Sequence, residues 1–187
     1  MSQSNSQNML PKIKATPENK GQVIHLRTEA LNRLRANKLY VALYLRSDPH
    51  IEDNFHWAFY HHASLGKTIH HIKNLGSGWT AEHAARTNVF ISNLLCVVIE
   101  IASIPTHREQ ELATIMRTYD NNLNDIPGIR CRLWIFLVLK LLVQQGLVHC
   151  DNLETLQQEC LRIGNEHSQE AIDNYQPRPV LIAESSS

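Results

Sequence analysis

The chain has 187 residues, 18 of them basic and 18 acidic, so its formal net charge at neutral pH is zero; mean hydropathy is −0.29. That length suits one domain with a real core, and the lack of a basic stripe with interleaved aromatics argues against a nucleic-acid surface. No run approaches the ~20 apolar residues that a spanning helix needs, so no membrane span is expected.

Residues 1–22 are polar, contain Pro11 and Pro17 and lack periodicity. They read as a disordered arm ahead of a single domain over residues 23–176. Met1 to Asn8 carries no apolar segment of the kind a secretory signal requires. A short helix is predicted over 25–36, with Leu26, Ala30, Leu31 and Leu34 on one side and Arg27, Arg33, Arg35 and Lys38 facing water. Residues 39–45 are rich in strand formers and stop at the turn signal Ser47-Asp48-Pro49. Two histidine-bearing strands follow, 55–60 and 67–73. Residues 74–79 form a glycine-punctuated turn; no Lys-Ser/Thr pair follows it, so it is not a phosphate loop. A fourth strand is predicted over 94–101.

After Pro105, Thr106 and Glu109 have capping-box spacing, opening a helix that turns Leu112, Ile115 and Met116 inward and fades near Tyr119. From Leu133 to Val143 only Lys140 is charged. The helix beginning at Cys131 is therefore expected to be buried on most sides and to stop at Gly146. Asp151 or Asn152 caps a last helix with Leu153, Leu156, Cys160, Leu161 and Ile163 as its apolar positions. Residues 177–187 read as a disordered tail. Strands first and helices afterwards predict an α+β fold: an antiparallel sheet of four or more strands packed on the helix that starts at Cys131.

The four cysteines do not resemble a disulfide framework, since Cys96 and Cys160 sit in apolar runs where a free thiol acts as a small hydrophobe. This usage fits a reducing, cytoplasmic setting. Cys131 differs. A helix start favours a thiolate, as do the neighbouring Arg130 and Arg132, so Cys131 is expected to be the most reactive thiol. A strand histidine facing it would supply a base. On the first histidine strand His56 shares a face with Ala58 and Tyr60, while Phe55, Trp57 and Phe59 share the other. Register decides whether His70 or His71 meets His56. Metal binding is not expected: alternation separates His61 from His62 and His70 from His71, and no Cys-x-x-Cys or His-Glu-x-x-His spacing occurs. No cofactor is implied.

Leu39-Tyr40-Val41-Ala42-Leu43-Tyr44, Phe55-His56-Trp57-Ala58, His71-Ile72-Lys73-Asn74, Cys131-Arg132-Leu133-Trp134-Ile135 and the stretch from Leu141 to Val148 resemble an uncharacterised family of small fungal proteins. The order His, His, Cys is also similar to the circularly permuted papain-like thiol enzymes related to lecithin retinol acyltransferase. The resemblance covers about residues 38–165. It implies a permuted papain-like fold with His56 as base, His71 as orienting partner and Cys131 as nucleophile. The expected function is a thiol-dependent hydrolase or acyl/peptidyl transferase attacking an ester, thioester or amide, with helix-start N–H groups stabilising the oxyanion. One alternative is a non-covalent cyclase or isomerase of a biosynthetic pathway, using the histidines in a cleft lined by Trp57, Tyr60, His70, Trp79 and Trp134. The other is a binding module without catalysis.

Overall fold

Alternating runs of Leu, Val, Tyr and Phe fit a pleated, half-buried surface, and they assemble into one large sheet. A computed structural model describes residues 10–64 and 66–187. In chain order the elements are β1 (Ile13–Lys14), α1 (Lys20–Asn32), β2 (Lys38–Leu45), β3 (Phe55–His62), β4 (Lys67–Asn74), β5 (Trp79–Ala85), β6 (Leu95–Ser103), α2 (Glu109–Met116), α3 (Cys131–Gln144), α4 (Leu153–Ile172), β7 (Tyr175–Gln176) and β8 (Val180–Ile182). The fold is mixed α+β. Its main sheet has six strands in the order β5-β4-β3-β2-β6-β8, and β1 pairs with β7 in a small antiparallel sheet of two.

Antiparallel pairing holds from β5 across to β6, but β8 lies parallel to β6. This corrects two expectations. The sheet is mixed rather than wholly antiparallel, and residues 177–187 are not a disordered tail, since they supply its last strand. Arg178 anchors that return. It is 3% exposed and donates hydrogen bonds to the carbonyls of Asn93, Glu170, Ala171 and Tyr175. Of the arm predicted over 1–22, residues 1–9 lie outside the described residues, whereas 13–14 pair with β7 and α1 already begins at Lys20.

Period-two alternation gives the sheet two unlike faces. Leu39, Val41, Leu43, Phe55, Trp57, Phe59, Val97 and Ile99 face α2, α3 and α4 and join Cys131, Trp134, Leu142 and Leu156 in the main core. Tyr40, Ala42, Tyr60 and Val98 face the other way, against Ala30 and Leu34 at the end of α1 and Phe90 after β5. The helix after Cys131 is covered along one stripe rather than on most sides: Trp134, Ile135, Val138, Leu139 and Leu142 are sealed from solvent, while Leu133, Phe136, Leu137, Leu141 and Val143 are only partly buried. Asn152 caps α4, its Oδ1 accepting from the N–H groups of Glu154 and Thr155 at 2.8 and 3.1 Å. The capping box at Thr106 does not form. Residues 106–108 make a single 3₁₀ turn, and Arg108 instead bridges Glu111 to the last carbonyls of α3's exit turn, Gln145 and Gly146.

Candidate functional site

Two adjacent residue pairs organise the site. β4 and β5 pair so that His71 lies opposite Glu82 and His70 opposite His83. Neighbours on a strand point to opposite faces. One face therefore receives His71 and Glu82, and the other His70 and His83.

On the face shared with α1, His71 Nδ1 and His56 Nε2 are 2.8 Å apart, their rings set edge to face at 5.0 Å. The Glu82 carboxylate stands 3.6 Å from His71 Nε2 and also binds the ammonium of Lys73. A carboxylate facing Nε2 places the proton there, which leaves Nδ1 to accept the His56 Nε2–H. The chain Glu82–His71–His56 therefore ends in the bare lone pair of His56 Nδ1. Tyr44, directly opposite His56 on β2, flanks its ring at 6.0 Å. Burial, the nearby His71 and the charge of Arg46 hold the His56 imidazole down at about 4. Burial also lowers His71, and Glu82 opposes that effect. His56, His71, Lys73 and Glu82 are all partly buried, and solvent reaches this corner of a face that is otherwise sealed by Tyr40, Ala58 and Tyr60.

On the helical face a second line runs under α3. Asp120, in the turn after α2, accepts from His83 Nε2 at 3.0 Å, and His83 Nδ1 meets His70 Nδ1 at 2.7 Å. Burial and the neighbouring His83 and His61 push His70 down to about 3. His83 stacks obliquely on Trp134, with 6.4 Å between ring centroids. Among the described residues no group of three or more His, Cys, Asp or Glu side chains is arranged to hold a metal ion.

The candidate residues from the sequence fall on both sides of this partition. His56 and His71 are brought together, and the register chooses His71 over His70. Cys131 is not with them. It is 3% exposed, packed in the helical-face core with Phe55 and Trp57, and its Sγ lies 3.9 Å from the Phe55 carbonyl. The sheet separates it from the His56 imidazole, so a Cys-His-His constellation is not assembled. The aromatic cleft is likewise corrected. Trp57 and Trp134 are sealed in the core against Phe136 and Phe59. Tyr60 is sealed on the opposite face, its hydroxyl 3.4 Å from His62 Nδ1. Trp79 is half-buried at the start of β5, its backbone clamped by the Asn124 side chain.

Glu82, His83 and Asp120 are the functional candidates that sequence reasoning missed. β5 is the reason: Trp79-Thr80-Ala81-Glu82-His83-Ala84-Ala85 has few strand formers, and its glycine-rich approach hides it behind a turn. The one available signal was alternation, which puts Thr80, Glu82 and Ala84 on one side and Ala81 and His83 on the other.

A family of unknown function (DUF6914) matches residues 36–170, which span the sheet from β2 to β6 and nearly all of α4. No curated protein and no solved structure matches the chain.

Proposed function

We propose that this chain, which belongs to the family of unknown function DUF6914, is an acid–base catalyst working without a covalent intermediate, of the isomerase or cyclase kind. The observation that carries this reading is the partly buried Glu82–His71–His56 line. A thiol mechanism would need Cys131 within hydrogen-bond reach of an imidazole, and Cys131 packs across the sheet from His56.

In the proposed cycle His56 Nδ1 removes a proton from a carbon made acidic by an adjacent carbonyl. The imidazolium so formed keeps its Nε2–H on His71, whose own Nε2–H faces the Glu82 carboxylate, so its orientation is held while burial disfavours its charge and favours prompt return of the proton. While on His56 that proton exchanges with water, and one is then returned at another carbon, so the atoms balance without a co-reactant. With its ordinary pKa depressed to about 4, His56 is in the base form at neutral pH and gives the proton back readily.

The test is incubation of the protein with a cell extract in heavy water, followed by mass spectrometry for carbon-bound deuterium. Deuterium should enter at least one compound with the parent protein and with Cys131→Ala, and should fail to do so with His56→Gln. Loss of exchange in Cys131→Ala with retention in His56→Gln would reverse the reading and restore thiol chemistry.

A further inference from the structure

β5 is the long open edge of the main sheet, and its sequence does little to close it. It is outermost in the strand order and pairs with β4 over all seven residues without a register shift. Neither a proline nor a lysine interrupts it, although such residues commonly blunt exposed edges. The opposite edge is different: β8 has three residues and follows Pro177 and Pro179.

Only the first position of β5 is capped. Asn124 stands in for a neighbouring strand there, its Oδ1 accepting from Trp79 N–H at 2.8 Å and its Nδ2 donating to the Trp79 carbonyl at 3.0 Å. At the far end Arg86 N–H turns back to the Lys67 carbonyl at 2.8 Å. Peptide groups alternate in direction along a strand, so those of Ala81, His83 and Ala85 point outward as those of Trp79 do. Among the described residues no strand lies beyond them, and Ala85 and Arg86 are exposed.

Two-fold symmetry limits how a second copy can pair with this edge. Antiparallel pairing must bring outward-facing residues together, which leaves few registers. One sets Glu82 opposite Glu82, a like-charge pair that is disfavoured. Another sets Thr80 opposite Arg86. The next sets Glu82 opposite Arg86 at both ends of the overlap and Ala84 opposite Ala84 at its centre, short of the Asn124 cap. Arg86 is available for that role, because among the described residues no carboxylate lies within ion-pair distance of it.

We infer that two copies of this chain associate through their β5 edges in this last register, continuing the six-stranded sheet across a two-fold axis and laying Arg86 of each copy against Glu82 of the other. The inference stands apart from the acid–base reading but touches the same line. Glu82 is the carboxylate that faces His71, so each copy supplies a cation to the other's site. An edge of this length buries little area, so the dimer should dissociate in roughly the micromolar range.

Sedimentation velocity of the full chain over a concentration series should show a monomer–dimer equilibrium. Arg86→Glu sets carboxylates against Glu82 at both ends and should weaken it about tenfold or more, whereas Arg86→Lys should keep it. Ala85→Pro removes only an outward N–H and should leave a monomer that is still folded by circular dichroism. Cross-linking in a Cys150→Ser background reads the register. Under mild oxidation Ala84→Cys should give a disulfide-linked dimer, since directly opposed residues have Cα atoms within bonding range, and Thr80→Cys should not. A monomer at every concentration, an unchanged affinity in Arg86→Glu, a dimer that survives Ala85→Pro, or cross-linking through Thr80 in place of Ala84 overturns the inference. Failure of the acid–base reading is separable, since deuterium exchange that ignores His56 leaves the dimer untouched.

Discussion

His71 gives the residue scale its sharpest handle, because two opposed influences act on one ring. Burial lowers its pKa and Glu82 raises it. Replacing Glu82 with Gln removes the opposing charge, so the His71 titration should move further down, while His70, whose environment does not include Glu82, should stay put. Imidazole NMR of the variant checks both halves; movement of His70 instead would mean that the two faces communicate. Thiol accessibility offers a second test at this scale. Cys96, Cys131 and Cys160 are buried and Cys150 is partly exposed. Timed alkylation with peptide mapping should label Cys150 first and Cys131 only on unfolding, although the helix start had singled out Cys131 as the reactive thiol. Helix geometry predicted where the thiol sits along the chain; it carried no information on which face of the sheet the helix would cover.

Among the elements, α4 shows how a single missing side chain sets a packing distance. A Cβ placed at Gly164 would lie 2.8 Å from the Phe55 ring and 2.9 Å from Leu43, closer than carbon atoms can pack. Gly164→Ala gains about 1 kcal/mol of helix propensity, but the overpacking costs about 1–3 kcal/mol, and the Phe55 ring has little room to yield in a sealed core. A lower urea midpoint is expected; an unchanged or higher one would show that Phe55 moves. Four strands, the buried helix and the Asn152 cap were legible because long apolar runs and strict alternation dominate their local sequence. β5 and β8 were not, for one physical reason: as edge strands they are specified by the neighbour they join rather than by their own residues. Glu82 and His83 were hidden with β5. His56 and His71 were legible as candidates, yet their meeting depended on a choice between two registers that the alternation left open.

For the whole molecule, the buried histidines couple stability to pH. His56 and His61 titrate at about 4 and His70 at about 3 in the folded chain, against about 6.5 when unfolded. Between those limits the unfolded chain binds more protons, so stability rises with pH there. It should be fully present above about pH 6.5 and fall as the solution is acidified, by up to ~1.4 kcal/mol per pH unit for each such histidine. Denaturant midpoints measured from pH 7 to 4 check this; a flat profile would mean that these rings protonate without unfolding. Arg178 makes the matching prediction for the returning strand. Arg178→Ala strips hydrogen bonds from one buried and three partly buried carbonyls and should cost about 3 kcal/mol, read as a drop in melting temperature. The partition of acids and histidines between the two faces has a further consequence, for how this chain can vary in length. Sliding β5 by one position against β4 would turn Glu82 inward against Trp134 and Ile72 and carry His83 out to solvent, dismantling both acid–histidine lines at once. Insertions in the β4–β5 hairpin absorbed by the strands themselves must therefore come in even numbers, and odd ones must be looped out in the turn. Parity, rather than residue identity, is the constraint that this hairpin imposes on its relatives.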